Sequence, residues 1–254
     1  MSDAKKSPLT DKPLRYPGQS LDESINEILD DDVLEYILMP TICIMLTFLE
    51  WWRWYNDSPY TPYLWTLLTL VIVPFSIYKI YKIKKKVRRL RLGRDGERVV
   101  GQYLELLREK GYRVFHDIVG NNFNVDHVII SEHGVFVIET KTYSKPTDRK
   151  PLITFEQDNI CINGFNTNSK ILNQVSAASS WIRSVIKEST GKDIPVKPVI
   201  VFPGWYVEAK NNKSDAWVLN PKGLPTYIEN TPKTLTKEDM MMVSYHISRY
   251  IRSC

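Results

Sequence analysis

The chain has 254 residues, 34 of them Lys or Arg and 29 Asp or Glu, for a formal charge of +5. A composition 43% hydrophobic and 25% charged excludes a disordered chain, and 11 Gly with 15 Pro exclude collagen and Gly/Ser repeats. Cys43, Cys161 and Cys254 are odd in number and far apart, which argues against a disulfide scaffold or a Cys/His metal motif, and so small a net charge does not by itself indicate nucleic acid.

The averages hide an asymmetry along the chain. Residues 1–32 are polar, carry Pro8, Pro13 and Pro17, and end in Asp30-Asp31-Asp32, which reads as a flexible tail with a short helix near residues 21–29. Residues 36–49 and 58–78 are then free of charge. A bilayer core of about 30 Å needs roughly 20 helical residues. The second stretch meets that length, and the first does so with Glu35, Glu50 or Arg53 at the interfaces. Trp51, Trp52, Trp54, Tyr55, Tyr60, Tyr63 and Trp65 cluster around the turn Asn56-Asp57-Ser58-Pro59, at the level where amphipathic rings meet headgroups. A two-span hairpin over residues 33–82 is therefore expected. The competing expectation is a soluble helical hairpin, but neither stretch has the polar face of an amphipathic helix.

Lys79, Lys82, Lys84, Lys85, Lys86, Arg88, Arg89, Arg91 and Arg94 follow the second span with no acid among them. Such flanks stay cytoplasmic, so both termini and the remaining domain are expected there. The bland role of this neck, residues 83–92, is contact with anionic headgroups of the lipid bilayer.

Residues 93–254 form the expected soluble domain. Residues 94–110 read as a helix stopped by Gly111, and residues 112–118, 124–131 and 134–142 read as strands. A small hairpin is expected from residues 153–155 and 160–162, and a helix over 169–187. A buried strand is expected over 196–202, a short strand over 216–219 and a closing helix over 237–252. This order predicts an α/β fold with a mixed central sheet flanked by helices.

Asp126 and Glu139 interrupt strands that are otherwise strongly apolar, and a buried carboxylate is costly without a partner or metal. Neighbouring antiparallel strands can bring the two together at one end of the sheet. Glu139 and Lys141, two apart, share a face. His127 alternates to the opposite face from Asp126, which favours a structural role. Two carboxylates can hold a hard divalent cation through oxygen, and a lysine beside them can orient water or neutralise phosphate charge. A lone Glu-Thr-Lys is more often a plain salt bridge.

Context alters that weighing. Gly96-Glu97 opens a helix. Gly111-Tyr112, His116-Asp117, Asp126-His127, Gly134-Val135-Phe136-Val137-Ile138-Glu139-Thr140-Lys141 and Pro198-Val199-Ile200-Val201-Phe202 follow in order. Together they resemble the nuclease-related domain (NERD), which is similar to the PD-(D/E)XK nuclease superfamily, over about residues 93–208. The resemblance implies a metal-binding Asp126, an acid-x-lysine at Glu139 and Lys141, a supporting acid at Glu97 on the first helix and a polar support at Gln174. Val125 stands where the superfamily's literal proline precedes the aspartate. The implied function is a membrane-anchored nuclease dependent on Mg²⁺ or Mn²⁺, acting on DNA or, as the alternative, on RNA. The alternatives are a nucleic-acid binding or sensing module without turnover, and a membrane interaction protein whose neck contacts only lipid. Trp205 is expected to anchor a loop, and Cys161 and Cys254 are assigned no chemistry.

Overall fold

The computed structural model describes residues 12–56, 62–120, 123–166, 170–210 and 215–253. Its contacts divide the chain into two units. One is Leu21–Leu92; the other joins the residues up to Ser20 with those from Gly93 onward.

The Leu21–Leu92 unit is helical. Helix α1 (Gln19–Glu27) runs through a π-helical segment, Ile28–Val33, into α2 (Leu34–Tyr55), and α3 spans Pro62–Glu109. The expected turn lies, beyond Asn56, outside the described residues. Threonines and aromatic edges join α2 to α3. Thr47 Oγ1 lies 2.7 Å from Thr69 Oγ1, Trp51 Nε1 donates to Thr66 Oγ1 at 2.9 Å, and Tyr36 meets Phe75 edge-on. Ile25 and Ile28 pack on Val87, which ties the junction of α1 and the π-helical segment to the basic neck. Both helices, Gln19–Tyr55 and Pro62–Glu109, contain a stretch long and apolar enough to cross a membrane, and only 6% of each such stretch is buried.

The helix expected at residues 94–110 is the end of α3. Lys, Arg, Ile and Leu through the neck all tolerate helix, no proline interrupts it, and Gly93 and Gly96 are too weak a break to stop it. Gly111, at φ +86°, ends the helix as expected.

The other unit is built on a five-stranded sheet in the order β1-β2-β3-β7-β9. Its strands are β1 (Arg113–Val119), β2 (Asn124–Ser131), β3 (Gly134–Thr140), β7 (Val196–Val201) and β9 (Trp217–Leu219). The first three pair antiparallel; β3, β7 and β9 pair parallel, so the sheet is mixed. One face packs Val100, Leu104 and Leu107 of α3 and Leu224 and Ile228 of α5 (Leu224–Glu229) against Val114, Ile129, Ile138 and Val199. The other face packs α4 (Lys170–Thr190) and α6 (Lys237–Ser253) against Val128, Ile130, Val135, Val137 and Ile200. Alternation along β2 and β3 supplies both faces from the same strands.

A second sheet, β6-β5-β4-β8, follows the third central strand in sequence. The expected hairpin is β4 (Leu152–Glu156) with β5 (Asn159–Ile162). Two strands absent from the sequence reading complete it: β6 (Phe165–Asn166), and β8 (Tyr206–Lys210), which pairs parallel to β4. Trp205, only 2% exposed, anchors the loop before β8 and donates through Nε1 to the Tyr143 carbonyl at 3.3 Å.

Candidate active site

The last paired residues of β2 and β3 are His127 and Ile138. One step further along the same register, Asp126 stands opposite Glu139. Both face the α4 side, with Val128 and Val137. The Thr140 backbone N–H donates to Asp126 Oδ2 at 2.7 Å, so the strand carrying Glu139 also fixes Asp126. Lys141 lies just past β3, yet its backbone N–H still donates to Val201 O at 2.9 Å, which holds it in line.

Lys141, Glu139 and Gln174 form a closed triangle. Lys141 Nζ donates to Glu139 Oε1 at 2.6 Å and to Gln174 Oε1 at 3.0 Å, and Gln174 Nε2 donates to Glu139 Oε1 at 2.8 Å. Glu139 is 4% exposed; Gln174, from α4, stands at the solvent side. Glu97, 8% exposed, approaches from α3 and accepts a backbone hydrogen bond from Gly18. Gly96 is required beside it, because a Cβ there would collide with the Thr142 side chain. All five residues implied by the resemblance are thus brought to one end of the central sheet.

Three of them are acids, and each is held above its ordinary range. Burial pushes Glu97 up to about 8, helped by the fields of Asp117 and Glu139. Burial, then Glu139 and Glu97, raises Asp126 well above the usual carboxylate range. Burial raises Glu139 despite the opposing pull of Lys141. Burial lowers Lys141, but its ion pair with Glu139 more than offsets this and leaves the ammonium above its usual range. Fully ionised, the three carboxylates and one ammonium would carry two negative charges in excess. That excess, on hard oxygen donors, matches a divalent cation in charge and chemistry. Among the described residues no three His, Cys, Asp or Glu side chains form a ready metal cage. Mg²⁺ does not require one, since it binds through one or two carboxylates and keeps several waters.

His127 lies on the opposite face, fully buried, as its alternation implied. It belongs to a chain that the sequence reading missed. His116 Nε2 lies 2.8 Å from Glu105 Oε1, the two Nδ1 atoms of His116 and His127 lie 2.9 Å apart, and His127 Nε2 lies 3.4 Å from Thr140 Oγ1. One tautomer set satisfies every contact. Thr140 donates to His127, His127 Nδ1–H to His116, and His116 Nε2–H to the Glu105 carboxylate. Burial holds both imidazoles below their ordinary value.

Asp117, named in the His116-Asp117 motif, was assigned no role in the site. It is 2% exposed and adopts φ +51°, at the one step of the β1–β2 ladder where pairing lapses, between His116↔His127 and Ile118↔Val125. The signal was available: an acid inside Arg-Val-Phe-His-Asp-Ile-Val is as anomalous as Asp126 in its own strand.

A mixed sheet whose adjacent strands bear an aspartate and an acid-x-lysine, with helices on both faces, defines a PD-(D/E)XK-like arrangement. Residues 92–203 match the family model of the nuclease-related domain, NERD. An uncharacterized protein of Bacillus anthracis is 41% identical over 56 residues, covering 20% of this chain and 26% of that protein's length. No solved structure gives a significant match.

Proposed function

We propose that the chain is a membrane-anchored, divalent-metal-dependent nuclease that hydrolyses phosphodiester bonds of DNA, with RNA as the alternative substrate. The observation that carries this reading is the convergence of Asp126, Glu139, Lys141 and Gln174 within a nuclease-related domain. Asp126 and Glu139 would hold Mg²⁺ or Mn²⁺. When bound, such a cation neutralises phosphate charge and lowers the pKa of its water. Lys141, kept as an ammonium by Glu139, is suited to orient water or meet charge on the phosphate rather than to act as the resting base. Gln174 fixes Lys141 and Glu139 against each other, and Glu97 closes the site from α3.

The anchoring reading rests on the two apolar helices, on exposed Ile37, Met45, Phe48, Leu64, Leu67 and Val71, and on the cationic neck that follows them. Hydrocarbon would cover those side chains. Residues 12–20 precede both apolar stretches and belong to the same unit as the residues from Gly93 onward, which supports placing both ends of the hairpin on one side. The positive neck favours the cytoplasmic side.

A variant series tests the site. Asp126→Ala and Glu139→Ala should reduce turnover of linear DNA to background. Lys141→Ala should cost roughly 10²–10³ in rate, by analogy with the removal of one preorganised electrostatic contact. Gln174→Ala should cost less. DNA binding should survive in all four, since most phosphate contacts come from cations elsewhere. DNA binding with no cleavage under any divalent metal would favour the binding-module reading.

A further inference from the structure

Three acids stand in register on three neighbouring strands. Asp117 of β1 falls opposite Asp126 of β2, between the pairs His116↔His127 and Ile118↔Val125; Asp126 falls opposite Glu139 of β3, one step past His127↔Ile138. Like charges across strands repel, so such a row needs compensation. Lys141 supplies it at the Glu139 end. At the Asp117 end it comes from a distant part of the chain. Arg15 Nε donates to Asp117 Oδ2 at 2.6 Å, the Ser20 backbone N–H donates to the same oxygen at 2.9 Å, and Ser20 Oγ donates to it at 2.8 Å. Arg15 Nη2 donates in turn to Ser20 Oγ at 3.0 Å, which closes the cluster. The side chains of Arg15 and Asp117 are 18% and 3% exposed.

The same segment reaches Glu97. Gly18, at φ +75°, gives its backbone N–H to the Glu97 carboxylate, and Pro17 lies over Gly101 so closely that a Cβ there would collide with its ring. A strap from before the first apolar helix thus grips two buried acids at the site, although the nuclease-related domain itself begins only at residue 92.

We propose that residues 15–20 are a positioning element of the active site, with Arg15 and Ser20 acting through Asp117 and Gly18 acting directly on Glu97. The strap neutralises the outer acid of the row and fixes Glu97 beside Asp126 and Glu139. This rests on the hydrolase reading for its kinetic consequence, but not for its consequence for cation affinity. Loss of a residue that orients metal-site groups typically costs 10–100-fold in metal affinity or activity.

The test uses the full chain in detergent micelles, with Mn²⁺ affinity measured by electron paramagnetic resonance and Mn²⁺-dependent cleavage of linear DNA measured alongside. Arg15→Gln should weaken Mn²⁺ binding and lower kcat by about 10–100-fold each, with KM for DNA changed by less than about twofold. Ser20→Ala, which removes both hydrogen bonds of the Ser20 hydroxyl and keeps the Arg15–Asp117 ion pair, should lower both by about fivefold. It serves as the second variant should Arg15→Gln fail to fold. Arg15→Lys should recover part of the loss. Wild-type Mn²⁺ affinity and kcat in folded Arg15→Gln, or in Ser20→Ala, would overturn the strap's role and leave the hydrolase reading standing. Wild-type protein that binds Mn²⁺ but cuts nothing would overturn the hydrolase reading, and the affinities would still decide the strap. A wild-type chain that binds no Mn²⁺ would overturn both.

Discussion

At the scale of single residues, the site stores unfavourable charge that a cation would relieve. Glu97 shows this most clearly, because burial and neighbouring acids push its carboxyl from 4.5 to about 8. A folded-state value above the unfolded one favours folding while the group is protonated in both states. Stability is therefore fully present below about pH 4.5 and is lost progressively as pH rises towards 8. Glu97→Gln should accordingly stabilise the metal-free protein by on the order of a few kcal/mol near pH 8–9 and change it little near pH 4. Chemical denaturation of the full chain in micelles, with chelator, at those two pH values measures this. An equal effect at both would contradict the assignment. His116 and His127 act in the opposite sense. Their depressed values keep them neutral in the fold, so their contribution is complete above about pH 6.5 and lost as pH falls below it.

At the scale of elements, the central sheet was legible because its strands are short apolar runs ending at Gly, Asn and Asp signals. β2 occupies the predicted residues, and β1, β3 and β7 differ by one or two at their ends. The acid-x-lysine was legible because two-residue spacing fixes a shared face whatever the surroundings. Less local features were not. β8 alternates weakly, is mostly exposed, and is a strand because β4 offers it a parallel edge. The role of residues 12–20 was hidden because a short polar segment broken by Pro13, Pro17 and Gly18 carries no periodicity, and its Asp117 partner lies about 100 positions away. The glycine that admits it gives an independent check. Gly101→Ala would press a Cβ into Pro17, and the helix is the more rigid partner. The strap should loosen, and trypsin should cleave after Arg15 several-fold faster than in the wild type. An unchanged cleavage rate would show that the strap is not seated on Gly101.

At the scale of the whole molecule, a strap before the apolar helices and a domain after them share one structural unit. An even number of crossings satisfies this, and an odd number does not. Single cysteines placed at Lys12 and Lys237, in a chain without its native cysteines, should react with an impermeant maleimide from the same side of sealed vesicles. Labelling from opposite sides would contradict the two-span topology, and loss of the protein to the soluble fraction on carbonate extraction would contradict anchoring altogether. The same arrangement makes the full chain, rather than residues 92–254 alone, the proper object for enzymology. The most direct measurement is therefore phosphodiester cleavage by the purified full chain in micelles, on linear, circular and single-stranded DNA. It should be made with Mg²⁺, with Mn²⁺ and with excess chelator, beside Glu139→Ala prepared identically. Cleavage by the wild type with metal, abolished by chelator and absent in Glu139→Ala, is the expected result; cleavage that survives either change, or no cleavage under any metal, would contradict the account.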